Sequence, residues 1–170
     1  MGCKLLYLQS FSMRIQIDSF DRKFNEIHER SLLLLSMTDK ADLYKRPREL
    51  PMSFAMFSVG EYLLRSAAAI EQTFGGITTR LWDDPFEWTL PEKLTSTELV
   101  IDYVNESDSA RRRGMAFLDD DAALLKQIPA PSEIKPIFEL LLDTVSRAEH
   151  FQGRAFAVFQ MLSDEKLPRI

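Results

Sequence analysis

The stretch Ser58-Val59-Gly60-Glu61-Tyr62-Leu63-Leu64-Arg65-Ser66-Ala67-Ala68-Ala69-Ile70, continued through Phe74 and Ile77 to Leu81, decides the fold. It opens with a capping box: the Ser58 hydroxyl can accept from the Glu61 amide while the Glu61 carboxylate reaches back to the Ser58 amide. Behind the cap, Val59, Leu63, Ala67, Ile70, Phe74, Ile77 and Leu81 recur at steps of four and three, the stripe of a helix packed on a neighbour. A second stripe of smaller residues (Tyr62, Ser66, Ala69, Thr73) runs beside it. Gly75 and Gly76 weaken the last third, where a bend or fray is expected. Asp83-Asp84-Pro85 ends the helix.

Three more segments repeat this pattern. Residues 19–37 place Phe20, Phe24, Ile27, Ser31 and Leu34 on one face, widened by Leu32, Leu33 and Leu35. Pro47 and Pro51 mark the following loop. A second capping box, Thr95-Ser96-Thr97-Glu98, starts a helix whose expected inner face is Leu99, Tyr103, Ser107, Ala110, Gly114 and Phe117. The small residues in that face let a neighbouring helix approach closely. Ile128-Pro129-Ala130-Pro131 cannot be helical throughout. The fourth helix is expected from about Lys135, with Pro136 in its first turn, to Met161 or Leu162. Its inward side is Ile137, Leu140, Leu141, Thr144, Ala148, Phe151, Ala155, Val158 and Leu162. No strand signal of comparable length is present. The expected fold is an all-α four-helix bundle with long connections. It divides into an N-terminal extension (1–18), one bundle domain (19–165) and a short tail (166–170). Met13 is as good a start as Met1, because the segment before it lacks helical periodicity.

Composition narrows the chemistry. The chain has 170 residues, 45% apolar and 28% charged, with a net charge of −5, two histidines and one cysteine. That length suits one core. A single Cys excludes an internal disulfide framework and a Cys-based zinc knuckle. The acidic balance argues against nucleic acid as a partner. Arg111-Arg112-Arg113 is the exception and reads as a solvated face, nearly cancelled by Asp119-Asp120-Asp121. The longest aliphatic run, Leu32–Leu35, is far short of the roughly 20 residues that span a bilayer. A membrane partner is therefore not expected, and a cytoplasmic location is. There is no Gly-rich phosphate loop, no G-x-S-x-G and no His-Glu-x-x-His. The aromatic-rich stretch from Trp82 to Trp88 caps the bundle or meets a second subunit.

The order of the remaining signals carries a resemblance. Leu43-Tyr44-x-Arg46-Pro47 follows the first helix, and Ser58 to Leu64 opens the second. Leu140-Leu141-Leu142 leads into Ala148-Glu149-His150-Phe151-Gln152-Gly153-Arg154 in the fourth. From about Phe20 to Pro168 the chain resembles the DinB/YfiT-like family of four-helix bundles, many of which bind a divalent metal. The resemblance implies zinc or nickel held by three histidines, one from the second helix and two from the fourth. It also implies a homodimer and, where members are enzymes, thiol-dependent S-transfer or metal-assisted hydrolysis. The corresponding positions here are Arg65, Arg147 and Phe151. A guanidinium has no lone pair to offer and a phenyl ring has no donor, so the metal site is expected to be lost and no cofactor is expected.

Two alternatives follow. His150, on the flank of the fourth helix, is either a surface histidine or the centre of a rearranged site with Glu149 or Asp143; His28 also lies at a stripe edge. The resemblance points Arg65 at the bundle centre, yet the main stripe of its helix faces roughly 150° away. If Arg65 and Arg147 enter the old cavity they need acidic partners, since a lone buried charge is costly. The candidates are Glu61, Glu71, Asp143 and Glu149. Such a network fills the cavity or binds an anion. The favoured reading is a non-catalytic binding or structural protein; the alternative is an enzyme built around His150.

Overall fold

In the computed structural model, residues 13–47 and 56–167 are described, Phe86 by its backbone alone. Four helices carry the fold: α1 (Ile15–Met37), α2 (Val59–Thr79), α3 (Thr97–Ala116) and α4 (Ile137–Leu162). The bundle is all-α apart from a two-stranded antiparallel hairpin, β1 (Gln127–Pro129) with β2 (Ile134–Pro136), in which Ile128 pairs with Lys135. α2 packs against α3 and α4, and α1 closes the far side against the same two helices. α1 and α2 are thus diagonal, touching through the edge-to-face rings of Phe24 and Phe74.

Two buried clusters fix the helix directions. One holds Ile17, Phe74, Ile77, Met115, Leu118 and Ile137, where α1 and α4 begin and α2 and α3 end. The other holds Leu34, Val59, Val100 and Phe159, the opposite ends of the same helices. α2 and α3 therefore run in one direction and α1 and α4 in the other. Residues 80–96 must return along the bundle to join two parallel helices, which accounts for the length of that connection.

Caps explain where the helices start. The Ser58 hydroxyl accepts from the Glu61 amide at 3.3 Å, and the Glu61 carboxylate accepts from the Ser58 amide at 2.8 Å, so the expected box is formed. α2 stays helical through Gly75 and Gly76 and ends at Arg80, in the left-handed region with φ 63°. Leu81 is consequently outside the stripe and exposed. α1 starts at Ile15, four residues earlier than expected, because the Asp121 carboxylate accepts from the free amides of Gln16 and Ile17 at 3.1 Å. Ile17 is fully buried, so residues 13–18 belong to the bundle rather than to an extension. Leu167 packs on the second cluster, which moves the tail boundary as well. Residues 1–12, with Met1 and Cys3, and residues 168–170 lie outside the described residues.

Three further expectations are corrected. The α3 cap is Ser96, not Thr95, its hydroxyl accepting from the Leu99 amide. The α3 inner face is rotated: Val100, Tyr103, Val104, Ser107, Asp108, Arg111, Gly114 and Met115 are buried, while Leu99 and Phe117 are exposed. Pro136 is the residue before α4 rather than part of its first turn. The hairpin was not expected, since three residues per strand give too short an alternation to read.

At Gly114, α3 packs directly against the Phe74 ring of α2. A Cβ there would lie 2.3 Å from the Phe74 ring, which is 1% exposed and has nowhere to move. Gly114→Ala should lower unfolding free energy by about 1–3 kcal/mol. Gly153→Ala, with nothing within 4 Å of the added methyl, should be neutral or stabilising. Urea denaturation of both variants is the check.

Candidate functional site

Small residues on α2 bring α4 near enough for direct bonds between the helices. The Ser66 hydroxyl donates to the Ala148 carbonyl at 2.9 Å, and the Thr73 and Thr144 hydroxyls meet at 2.7 Å. Beside that seam the alanines of α2 leave a trough. Arg65, Arg147 and Phe151 all line this trough, a groove of about 360 Å3. Ala68 and Ala69 form its floor, and the connection between α2 and α3 supplies a lip of Asp84, Pro85 and Thr89. The three positions singled out by resemblance are thus brought together, on the outer face of the α2–α4 contact and not at the bundle centre. Arg65 is half-buried, its guanidinium carbon 4.2 Å above the centre of the Phe57 ring. Arg147 is exposed on the opposite wall.

The four candidate carboxylates are engaged elsewhere. Glu61 takes the Ser58 cap and pairs with Arg46. Burial disfavours its charged form, but bonds from Arg46 and Ser58 outweigh that and hold its pKa below the usual carboxylate value. Glu71 accepts from the Tyr103 hydroxyl. Asp143 lies 3.1 Å from Lys135. Glu149 faces α1, 2.9 Å from Lys23 and also bonded to Arg30. His150 is exposed, its ring edge-on to Phe151 with centroids 5.7 Å apart. His150, Glu149 and Asp143 each point to different neighbours and do not converge on a common space.

The groove does not suit the divalent metal that the resemblance implies. Its walls offer one carboxylate, Asp84, against two guanidiniums that repel a cation. Among the described residues no group of three or more His, Cys, Asp or Glu side chains is placed to hold a metal ion.

A second polar cluster lies inside the bundle. Arg111 is 2% exposed, so the first member of the three-arginine run is not part of a solvated face. Its guanidinium bonds to Asp108 at 2.8 Å, three residues earlier on α3, and to Asp21 of α1. Arg112, largely exposed, takes the other Asp108 oxygen at 2.7 Å. The acidic run is not a counter-charge to these arginines: Asp120 caps the turn that follows it, and Asp121 caps α1. His28 lines the same interior space, and its Nδ1 has no hydrogen-bond partner among the described residues. Desolvation lowers the His28 pKa; Asp108 pulls it up, and Arg111 and Arg112 push it down again. For Asp108, burial disfavours the charged form, but Arg111, His28 and Arg112 prevail and hold its pKa below the usual value. The enclosed space is about 10 Å3, room for no organic ligand. The sequence signal for this cluster was an Asp–Arg pair three residues apart on a helix face that also carries Val104 and Met115.

No family model, no curated protein and no solved structure matches this chain.

Two measurements test the interior cluster. Arg111→Ala leaves Asp108 buried with its main partner gone and should cost about 3–5 kcal/mol, whereas Arg113→Ala on the exposed face should cost less than about 0.5 kcal/mol. Acid should act in two stages. Because folding lowers the His28 pKa below 6.5, the neutral ring's contribution is intact above that pH and is lost as pH falls through 6.5 toward the folded value. Asp108, Glu61 and Glu149 are also lowered by folding, so their contribution is present above the ordinary carboxylate pKa and is lost on further acidification. Thermal melts from pH 8 to 3 should show both declines, and His28→Gln should flatten the first alone.

Proposed function

We propose that this protein is a non-catalytic, DinB/YfiT-like binding bundle whose ligand is a small organic anion held between Arg65 and Arg147. The observation that carries the reading is that Arg65 and Arg147, from facing helices, line one groove with an apolar floor. Guanidiniums bind carboxylates and phosphates through paired, charge-assisted hydrogen bonds. The two arginines outweigh the single Asp84 on the lip. The Phe57 ring under Arg65 fixes the plane of one guanidinium and reduces the entropy lost on binding. The groove volume falls within the roughly 300–1,000 Å3 range of small-molecule sites. The reading carries with it the homodimer that the resemblance implies and the cytoplasmic location expected from the sequence.

A catalytic reading has less support. An acid–base pair must share a reacting atom within hydrogen-bond reach, and His150 shares no space with Glu149 or Asp143.

Isothermal titration with acetate and with inorganic phosphate tests the proposal. Binding should weaken as salt is raised, and Arg147→Ala should reduce affinity about tenfold to a hundredfold, the effect of losing one charge-assisted bond. Unchanged affinity in the Arg65→Ala/Arg147→Ala double variant would sink it.

A further inference from the structure

The groove between α2 and α4 does not end at Arg147. Arg147 and Gln72 also line an adjoining compartment of about 470 Å3, on the side toward the hairpin. Its apolar walls are Trp82, Ala130, Pro131 and Leu140. From this continuity we infer that the ligand is an elongated, amphipathic monoanion, its charged head between Arg65 and Arg147 and its uncharged body in the compartment beside Trp82. The inference rests on the proposed anion site and adds the shape and charge of what fills it.

The charge distribution separates the two compartments. Lys135 is the third cation of the longer trough, but it is 2.6 Å from Glu139, 3.1 Å from Asp143 and 3.6 Å from Glu133. A cation already enclosed by three carboxylates has little to offer another anion. A ligand charged at both ends would bring its second carboxylate toward Asp143. The hydroxyls of Thr73 and Thr144 are likewise committed, to each other and to the Leu140 carbonyl. What this compartment presents to a ligand is the indole of Trp82 and the hydrocarbon of Ala130, Pro131 and Leu140 beside the uncharged polar groups of Gln72, Ser132 and Ser146, which suits an uncharged body.

The walls are held in place before anything binds. The Trp82 indole N–H donates to the Pro129 carbonyl at 2.9 Å, which ties the residues after α2 to the hairpin. Trp82 also packs against Gly76, where an added Cβ would lie 2.4 Å from its ring. Ala130 and Pro131 follow β1 directly, and the Ala130 amide donates to the Glu133 carbonyl at 2.9 Å across the turn. A wall fixed by the fold loses little freedom when a ligand is seated, so length and apolarity translate into affinity.

Straight-chain carboxylates provide the test, measured by titration calorimetry on the full chain. Affinity should rise from acetate through butanoate and hexanoate to octanoate, by up to about fourfold for each methylene that is fully buried. Octanedioate, equal in length with a second charge, should bind more weakly than octanoate. Trp82→Leu should remove most of the chain-length gain while leaving acetate unaffected. Because Trp82 also packs on the core, Ser146→Tyr serves as a second probe, filling the compartment from an exposed position on α4 that leaves the core untouched. Acetate binding that depends on Arg147 but shows no chain-length gain would overturn this inference and leave the anion site standing. Failure of every carboxylate to bind would overturn both. A chain-length gain that survives Arg147→Ala would overturn the anionic head.

Discussion

The close approach of α2 to its two flanking helices is the constraint on which the rest of this structure depends. Ser66, Ala69 and Thr73 face α4, and Ala67 faces α3, where the Ser107 hydroxyl donates to its carbonyl at 2.8 Å. A hydroxyl reaches a carbonyl of the next helix only when neither side chain holds the backbones apart. Each such bond satisfies a buried polar atom and sets the axial position of one helix against another. α1 is fixed in the same way, through the Gln152 amide, which donates to the Ile27 carbonyl at 2.6 Å and to the Ser31 hydroxyl at 2.7 Å. The groove is a consequence of that packing. α2 meets α4 through small residues, and the same run of alanines leaves space beside the contact. The returning connection between α2 and α3 then walls it with Asp84, Pro85 and Thr89.

The helices were legible because each buries an apolar stripe long enough to show its period, and α2 shows two. The α2 cap was legible because Ser58 and Glu61 lie three residues apart and satisfy each other. The α3 cap was legible to within one residue, since Thr95 and Ser96 both offer a hydroxyl. A cap was invisible where it comes from elsewhere: the acceptor that starts α1 is Asp121, more than a hundred residues away. The face of α3 was misread for a related reason. Periodicity tracks apolar side chains, and the inward face of α3 carries Asp108 and Arg111, buried because they neutralise each other and Asp21. Exposed Leu99 and Phe117 then took the place of residues that burial had assigned to ions.

The candidate site was less legible than the fold. The stripe of α2 points away from Arg65, so helical phase alone sets that residue outside the core. The groove sits at the edge of a helix contact, where phase distinguishes inside from outside poorly. Only the order of motifs along the chain placed Arg65, Arg147 and Phe151 together. The partners of the nearby carboxylates were not legible at all. Glu149 turns to Lys23 and Arg30 on α1, and Glu71 to Tyr103 on α3. Those choices depend on which helices are neighbours, and α1 lies diagonal to α2 although it precedes it in sequence.

Arginine meets opposite surroundings on the two sides of α2, and the surroundings decide what chemistry is left to it. Arg111 is nearly free of solvent, and a buried guanidinium persists only with its charge and its donors met. Asp108 and Asp21 meet them, and a cation so enclosed is chemically silent. Arg147 stands in solvent on the wall of a groove, where its hydration is retained until a ligand replaces it. The polar ties inside the bundle hold the positions of α2 and α4, and so hold the distance between the walls that Arg65 and Arg147 occupy. Interior order of this kind fixes where the two helix backbones carry Arg65 and Arg147. The proposed anion site depends on that spacing, because a ligand binds more weakly when the groups that meet it must first be ordered.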